Sequence, residues 1–354
     1  MFVVSMTGGG GWLLVLLAAA SFFLPPRARD PDAAATPAGS VAALRSPLGR
    51  PARIGLVFDV GGRGDKSFND AAYRGVERAM AELGATVVTI EPASSEDREA
   101  GLRLFAAQGM DLVVGVGFIF SHDLDVVARA YPKVRFACID YAPSAAPPPN
   151  VSGLAFREEQ GSFLVGAVAG LVSKTKHVGF VGGMTIPLIK KFEVGYAAGV
   201  AASCPSCVVH VAYAGSTPEA FKDPSKGKSL TVAQIGASAD VIFHAAGATG
   251  HGVFEAARDG RVFAIGVDSD QHDEMPGTVL TSMVKQVDVA LFETIRAVGE
   301  GRFKGGMSTF GLREHGVDYV HEGPHGALIP REVALRVAAL RAEVESGARP
   351  VPER

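Results

Sequence analysis

From residue 52 onward, short runs of apolar residues alternate with longer stretches whose apolar positions recur at helical spacing. Along residues 67–83, for example, Ala72, Val76 and Met80 lie on one stripe. The short runs contain few polar positions, which is typical of parallel strands with both faces covered by helices. They predict strands at residues 53–58, 86–90, 112–116, 134–139, 177–181, 208–213, 241–244 and 262–265.

The proline-rich segment 142–149 interrupts this alternation, and the series then starts again. Two such series predict an α/β fold of two doubly wound parallel-sheet lobes, with the proline-rich segment as a crossing between them. A later strand and helix at 278–298 is expected to return to the first lobe, so that several crossings form a hinge. The predicted lobes are residues 51–157 plus about 278–305, and residues 158–277 plus about 306–350.

The N-terminus carries an apolar run, Trp12 to Leu24, that is too short for an ordinary membrane-spanning helix. It fits the core of a secretory signal peptide, although no Lys or Arg precedes it and two prolines follow at once. Residues 1–24 are therefore predicted as a signal peptide or an uncleaved anchor, and residues 25–50 as a flexible linker. We expect an exported protein, either periplasmic or associated with the cell membrane.

Composition and charge narrow the range of partners. Of 354 residues, 47% are apolar and 20% are charged, and this length suits two domains that each bury a core. The formal net charge is −3 and no run of Lys and Arg forms a basic face, so a nucleic-acid partner is not expected. We expect a monomer.

The cysteines are Cys138, Cys204 and Cys207. Cys138 lies in an apolar run, where a thiol usually behaves as a small buried hydrophobe. The C-x-x-C spacing of Cys204 and Cys207 is found in redox centres and in half of a zinc site. No second pair completes a zinc site, and the motif precedes a strand instead of opening a helix. A local disulfide that pins a loop is therefore favoured.

Ligands of open parallel sheets bind beyond the carboxyl ends of the strands, so the residues there are site candidates. They are Asp59, Gly61, Gly62, Gly117, Phe118, Asp140, Gly182, Gly183, Gly215, Ala246, Gly247, Gly266 and Asp268. A single glycine there can simply turn the chain. Together, small residues that allow close backbone approach and carboxylates that accept from hydroxyls favour a cleft shared by two lobes.

The sharpest local signal is the segment from residue 59 to residue 69. Ser67 followed by Asp70 predicts an N-cap and an acidic residue that open a helix. Phe68 and Asn69 then occupy the first turn, at the mouth of the cleft. Phe68 could be a capping hydrophobe, but an aromatic ring beside an amide can also stack on and read a planar base.

Motifs for catalysis are missing from the sequence. It has no G-x-S-x-G, no H-E-x-x-H and no cysteine beside a plausible histidine partner. His315, His321 and His325 cluster in a glycine-rich stretch, but their spacing matches no metal-ligand pattern. We therefore expect no enzyme, no cofactor and no metal.

Several segments match one known family, in order and at matching spacing between residues 52 and 330. They include Val-Phe-Asp-Val-Gly-Gly-Arg-Gly-Asp-Lys-Ser-Phe-Asn (57–69), Gly-Val-Gly-Phe (115–118), Phe-Ala-Cys-Ile-Asp (136–140), Lys-Phe-Glu-Val-Gly-Tyr-Ala-Ala-Gly (191–199), Asp-Val-Ile-Phe-His-Ala-Ala-Gly (240–247), Ile-Gly-Val-Asp-Ser-Asp (265–270) and Ser-Met-Val-Lys (282–285). On these segments the chain resembles the basic membrane protein family, the purine-nucleoside-binding lipoproteins of ABC importers. The resemblance implies the periplasmic-binding-protein type I fold, two lobes joined by a multi-strand hinge.

The resemblance also implies roles for residues at matching positions. Phe68 and Phe192 match aromatic rings that sandwich a purine, and Asn69 matches a polar contact to the ligand. Asp268 matches a carboxylate that holds the ribose, and Lys285 matches an ammonium that reaches ribose oxygens. Gly247 matches a close backbone approach. Asp59 and Phe118 are added to this predicted site from their places at strand ends.

The sequence departs from the family pattern in two places. An acidic residue that contacts the base often follows the Gly-x-Gly-Phe segment, but His122 stands at its position here, with Asp123 one residue later. A histidine there would change the base preference. The chain also has no cysteine near the apolar N-terminal run where a lipoprotein is lipidated, so it need not be a lipoprotein.

The resulting hypothesis is a protein that captures a nucleoside such as adenosine, guanosine or inosine and delivers it to the permease of an ABC transporter. Two alternatives stay open. One is a nucleoside sensor of the same fold without a transport role. The other is a nucleoside-cleaving enzyme, for which Asp59 or Asp268 would have to act as base or nucleophile.

Overall fold

The computed structural model describes residues 48–93 and 95–354. The predicted signal segment, residues 1–24, and all but the end of the predicted linker, residues 25–50, lie outside the described residues. Among the helices of the described residues, none is both long enough and apolar enough to cross a bilayer.

Strands and helices alternate along most of the described chain. The first part forms β1 (Arg53–Val57), α1 (Phe68–Leu83), β2 (Thr86–Ile90), α2 (Ser95–Ala107), β3 (Leu112–Val116), α3 (Ser121–Ala130), β4 (Arg135–Ile139) and β5 (Val151–Phe156). The middle part forms α4 (Glu158–Val172), β6 (His177–Met184), α5 (Pro187–Ser203), β7 (Val208–Gly215), α6 (Pro224–Gly236), β8 (Val241–Ala245), α7 (Gly250–Gly260) and β9 (Phe263–Asp268). The last part forms β10 (Val279–Lys285), α8 (Val287–Gly299), β11 (Gly306–Phe310), β12 (Val317–Tyr319) and α9 (Arg331–Ser346).

Within the described residues the strands form two six-stranded sheets, one in each lobe. The first has the order β11-β5-β4-β3-β1-β2, and all its neighbours are parallel. The second has the order β12-β10-β9-β8-β6-β7, and only its edge strand β12 is antiparallel. The central strands β3 and β8 are buried at every position, because helices cover both faces of each sheet. The predicted pair of doubly wound parallel sheets is confirmed.

The structure corrects the predicted lobe boundaries. Residues 278–305 were assigned to the first lobe, but β10 lies in the second sheet, between β9 and β12. Only α8 returns to the first lobe, where it packs on α1. Residues 306–350 were assigned to the second lobe, but β11 extends the first sheet beside β5. Within the described residues the number of crossings is the predicted three, but the second and third lie later in the chain than predicted.

The proline-rich segment 142–149 is not the crossing that was predicted. It connects β4 with β5, and both strands lie in the first sheet. Asn150, directly after it, donates from its side chain to the carbonyl oxygens of Ala128, Tyr131 and Val134, all in the first lobe. The segment is thus tied down on the lobe from which it starts.

In the described chain, the crossings between the lobes lie at Arg157, at Gln286 and along residues 311–316. These crossings are hydrogen-bonded to one another. Arg157 donates from its backbone N to Phe310 O at 2.9 Å, and Gln286 donates from its backbone N to Gly316 O at 2.9 Å. Such a bundle of short connecting segments can absorb the backbone rotation of a hinge.

Helices α4 and α5 pack closely in the second lobe because glycines line their contact. A Cβ atom on Gly199 would lie 2.0 Å from Phe163 O, and one on Gly195 would lie 2.3 Å from Glu159 O. These distances are too short for any side chain. The close approach places the start of α4, with Glu158, beside the face of α5 that carries Phe192.

The cysteine predictions are confirmed. Cys204 and Cys207 form a disulfide in the loop between α5 and β7. Cys138 is a free, fully buried thiol in β4.

Candidate functional site

A cavity lies at the carboxyl ends of the strands, is partly open to solvent and is lined by residues of both lobes. Its position follows the rule for open parallel sheets. Eight of the ten predicted binding residues line it: Asp59, Phe68, Asn69, Phe118, Phe192, Gly247, Asp268 and Lys285. Their roles toward a ligand stay predictions, but the structure brings these eight together.

Asp65 organises the loop that enters this cavity. Its carboxylate accepts hydrogen bonds from the backbone N–H groups of Ser67, Asn69 and Asp70 at 2.8 to 3.1 Å. Ser67 is the N-cap residue of α1 and Asp70 lies in its first turn, as predicted, but Ser67 makes no capping bond with its side chain. Asp65 takes that role and fixes the first turn of α1.

Asn69 holds the same loop from its other side. Its Oδ1 accepts from the backbone N of Asp59 at 3.2 Å, and its Nδ2 donates to Asp65 at 3.1 Å. The amide therefore joins the end of β1 to the start of α1. It still lines the cavity and keeps one N–H group that can point at a ligand.

The hydroxyl of Ser67 reaches across the cleft to the other lobe. It donates to Asp268 Oδ2 at 2.7 Å and also lies 3.1 Å from Val267 O. Ser269 donates back to Ser67 O at 3.1 Å, and Arg74 donates to Ser269 at 3.0 Å. These contacts join the start of α1 to the end of β9 and define one rim of the cavity.

Two carboxylates enter the cavity from backbone positions that few residues adopt. Asp140 follows β4 with a φ of 59°, and Asp268 ends β9 with a φ of 65°. Left-handed backbone is disfavoured for residues with a Cβ, although Asp tolerates it better than most. The strand-end turn in each lobe thus aims an aspartate at the cavity, and such strained positions are frequent at functional sites.

Lys285 is a buried cation at the floor of the cavity, with 2% of its surface exposed. Its Nζ lies 2.6 Å from Asp140 Oδ1 and 3.1 Å from Glu158 Oε1. Burial alone would lower the pKa of Lys285, but Asp140, Glu158 and Asp268 together raise it above its ordinary value, so the ammonium stays charged. Asp140 belongs to the first lobe and Lys285 to the second, so this ion pair connects them.

Aromatic rings surround the same ammonium. Its Nζ lies 5.2 Å from the ring centroid of Phe68 and 5.9 Å from that of Phe192. Rings from α1 and α5, in different lobes, therefore meet at one cation. Phe118 and Phe221 form a second aromatic pair across the cavity, with centroids 6.4 Å apart.

The carboxyl group of Asp59 is not paired with a nearby ammonium as that of Asp140 is with Lys285. Burial raises its pKa to about 7, and Asp140 and Asp65 add to the rise. A hydrogen bond of 2.6 Å from the backbone N of Val60 and the charge of Arg98 oppose it. Asp59 can therefore present either a donor or an acceptor to a ligand near neutral pH.

The structure does not bring His122 and Asp123 into the cavity. His122 is exposed on α3, and Asp123 lies 3.5 Å from Arg98 Nε. Neither is among the lining residues. The idea that His122 contacts the base and changes base preference has no support in its position, because the helical phase turns its side chain to solvent.

Sequence reasoning missed Phe221, Ser67 and Glu158. Phe221 ends the short 3-10 helix Pro218–Phe221, six residues beyond the strand-end candidate Gly215. Glu158 opens α4 directly after β5, a strand that the pattern did not predict. Asp140 was noted as a strand-end residue but was not placed in the site. A carboxylate that follows a buried strand is the sequence signal that could have identified Asp140 and Glu158.

Comparison with known proteins agrees with this geometry. The model of the Bmp family, described as ABC transporter substrate-binding protein PnrA-like, matches residues 53–326. An uncharacterised lipoprotein of Pyrococcus horikoshii is 36% identical over 281 residues, 77% of this chain and 69% of the relative. The ABC transporter nucleoside-binding protein BmpA of Lactococcus lactis subsp. cremoris is 30% identical over 288 residues, 75% of this chain and 80% of the relative.

A solved structure shows the same architecture. The ABC transporter solute-binding protein from Aeropyrum pernix K1 superposes with a TM-score of 0.78 at 30% identity, over 86% of this chain and 94% of the solved one. The expected periplasmic-binding-protein type I fold is thus confirmed.

The contact between Ser67 and Asp268 can be tested through stability. Ser67→Ala should lower the free energy of unfolding by about 1–3 kcal/mol, because a hydrogen bond to a charged, buried acceptor is lost. Urea unfolding followed by circular dichroism measures the change. Ser225→Ala, at an exposed position of α6, is the matched control and should be neutral. Equal stability of both variants would contradict the contact.

The raised pKa of Asp59 predicts a pH dependence of stability. The folded-state pKa of about 7 lies above the ordinary value of 3.8, so folding favours the neutral form. The stabilisation is complete below pH 3.8 and is lost as the pH rises through 7. Asp59→Asn cannot ionise, so the variant should lose less stability than the parent between pH 4 and pH 8.

Urea unfolding at several pH values measures this difference. Glu332→Gln, at an exposed position in the first turn of α9, is the control and should follow the parent. If the curve of Asp59→Asn also ran parallel to that of the parent, the pKa of Asp59 would not be raised.

Proposed function

Because the chain belongs to the Bmp family of ABC transporter substrate-binding proteins, we propose that it captures a nucleoside with a purine base between its lobes and delivers it to an ABC importer. The family consists of substrate-binding proteins and not of enzymes, so the protein binds a small molecule without converting it. The name of the Lactococcus lactis relative, a nucleoside-binding protein, supports the choice of ligand.

One observation carries the proposal: rings from both lobes meet at one buried ammonium. Phe68 and Phe192 lie 5.2 and 5.9 Å from Lys285 Nζ, measured to their ring centroids. A planar aromatic base gains stacking energy on such rings, and alanine substitution of a stacking residue typically costs about 1–3 kcal/mol per base. A base held between the lobes would contact both rings.

The ribose fits the polar end of the cavity. Ser67 engages Oδ2 of Asp268, which leaves Oδ1 to accept a hydrogen bond from a ribose hydroxyl. Lys285 has three N–H donors and lies beside the same end. A site built this way penalises a ligand without the matching hydroxyls, because buried polar groups are then left unpaired.

The charge of the cavity favours nucleosides over nucleotides. Asp59, Asp65, Asp140 and Asp268 all line it, and Lys285 is the basic residue among the described lining residues. Lys285 is already paired with Asp140 and Glu158. A phosphate would therefore meet carboxylates without a free cation to balance them, which costs binding energy.

We place the protein outside the cytoplasm. The disulfide between Cys204 and Cys207 supports this, since such bonds persist mainly in oxidising compartments. Delivery to a permease follows from the transport role of the family, and the partner would be the permease of an ABC importer.

Calorimetric titration with adenosine, guanosine, inosine, cytidine and uridine tests the proposal. We expect purine nucleosides to bind more tightly than pyrimidine nucleosides, because a larger base covers more of both rings. Adenosine 5′-monophosphate should bind at least tenfold more weakly than adenosine, which corresponds to about 1.4 kcal/mol. Absence of binding by every nucleoside would refute the function.

Two variants and one control locate the site in the same assay. Phe68→Ala removes a stacking ring and Asp268→Ala removes the ribose acceptor, so each should weaken purine nucleoside binding about tenfold or more. His122 is exposed and lies outside the cavity, so the control variant His122→Ala should bind nucleosides like the parent. Unchanged affinity of the first two variants would show that the ligand binds elsewhere.

A further inference from the structure

A cluster of histidine and aspartate side chains lies in the second lobe, just beyond the end of β9. Its members come from two short 3-10 helices, His272–Glu274 and Pro324–Gly326. His272, Asp273 and His325 each offer one ligand atom, and these atoms lie within 4.8 Å of one another. Segments separated by about fifty residues in sequence thus bring metal-binding groups to one point.

The ring of His325 is oriented by a neighbouring carboxylate. Its Nδ1 lies 2.6 Å from Asp270 Oδ2, and its Nε2 lies 3.4 Å from Asp273 Oδ1. A hydrogen bond from Nδ1–H to Asp270 leaves the Nε2 lone pair directed toward Asp273. Histidines that ligate metals usually have their other ring nitrogen held by a carboxylate in this way.

The ring of His272 supplies a second, independent observation. It stacks on His325 with centroids 4.4 Å apart and an angle of 13° between the rings. Its Nδ1 is buried and has no hydrogen-bond partner within the described residues. A buried, unpartnered ring nitrogen beside another imidazole and a carboxylate requires an explanation, and a bound cation provides one.

We propose that His272, Asp273 and His325 bind a Zn²⁺ ion, with Asp270 holding His325 in position. Two imidazole nitrogens and a carboxylate oxygen suit zinc, whereas magnesium and calcium prefer oxygen ligands alone. Three protein ligands leave the fourth tetrahedral position to water. The ligand atoms lie up to 4.8 Å apart, whereas the ligand atoms of tetrahedral zinc lie about 3.3 Å apart, so they must move closer by about 1.5 Å. Because the lone pairs of two stacked imidazoles lie in parallel planes, the ring of His272 must also turn about its χ2 angle before both rings can face one ion. The exposed side chain of Asp273 can rotate with it.

The site would stabilise the segment that carries Asp268. Only Ser269 separates Asp268 from Asp270, and Gln271 donates from Nε2 to Lys66 O of the first lobe at 3.2 Å. Zinc would fasten this segment to the 3-10 helix Pro324–Gly326. The metal site lies outside the ligand cavity, because none of its three ligands lines that cavity.

Titration of ZnCl₂ into the tag-free protein, freed of metal by a chelator, tests the proposal by calorimetry. We expect one Zn²⁺ per chain. His272→Gln and His325→Gln should each weaken binding more than tenfold. Asp270→Asn, which replaces the carboxylate that orients His325, should weaken it by about tenfold. A hundredfold excess of Mg²⁺ should not compete.

His315→Gln is the matched control, because His315 is exposed and does not belong to the cluster. It should bind zinc like the parent. Thermal unfolding in the presence of chelator checks that each variant folds. The proposal is overturned if the parent protein binds no stoichiometric zinc, or if it binds zinc with an affinity that the substitutions of His272 and His325 leave unchanged.

Discussion

The buried ammonium of Lys285 is the charge on which the cleft depends. It lies at the end of β10 in the second lobe and pairs with Asp140 from the first lobe and with Glu158 at the start of α4. Burial raises the pKa of Asp140, and Lys285 opposes that rise. Carboxylates can therefore crowd the cavity only because one desolvated cation balances them at short distance. The hinge segments and the ion pair together hold both lobes to one geometry.

Both lobes place an acidic side chain near this ammonium by the same local backbone geometry. Each ends a strand with an aspartate in left-handed backbone, Asp140 after β4 and Asp268 at the end of β9. Each also contributes phenylalanine rings from helices that start at the strand ends. The polar and stacking surfaces of the cavity are thus divided between the lobes. A ligand that needs both surfaces can be bound well only when both lobes contact it, and this is the physical basis for selective capture in such folds.

The sequence predicted the sheets and most of the site because both leave local signals. Apolar runs marked the strands, and their ends marked Asp59, Asp268 and Gly247. The sequence did not predict features that depend on which strand or which side chain pairs with which. An apolar run shows that β10 is buried but not which sheet it joins, so the strand was placed in the wrong lobe. Ser67 and Asp65 can both cap a helix, and only the contact with Asp268 across the cleft decides between them. Phe221 lies six residues beyond the end of β7, and no sequence pattern marked it.

The most direct test of the role of Lys285 is the free energy of unfolding of Lys285→Met, measured as a function of pH. Without the ammonium, Asp140 and Glu158 are buried beside each other with no cation between them. At pH 8 the variant should lose about 3–5 kcal/mol of unfolding free energy relative to the parent. The loss should shrink toward pH 5, because the raised pKa of Asp140 lets its carboxyl group take up a proton in the folded state. A loss of the same size at both pH values, or no loss at pH 8, would contradict the claim that Lys285 balances the cleft.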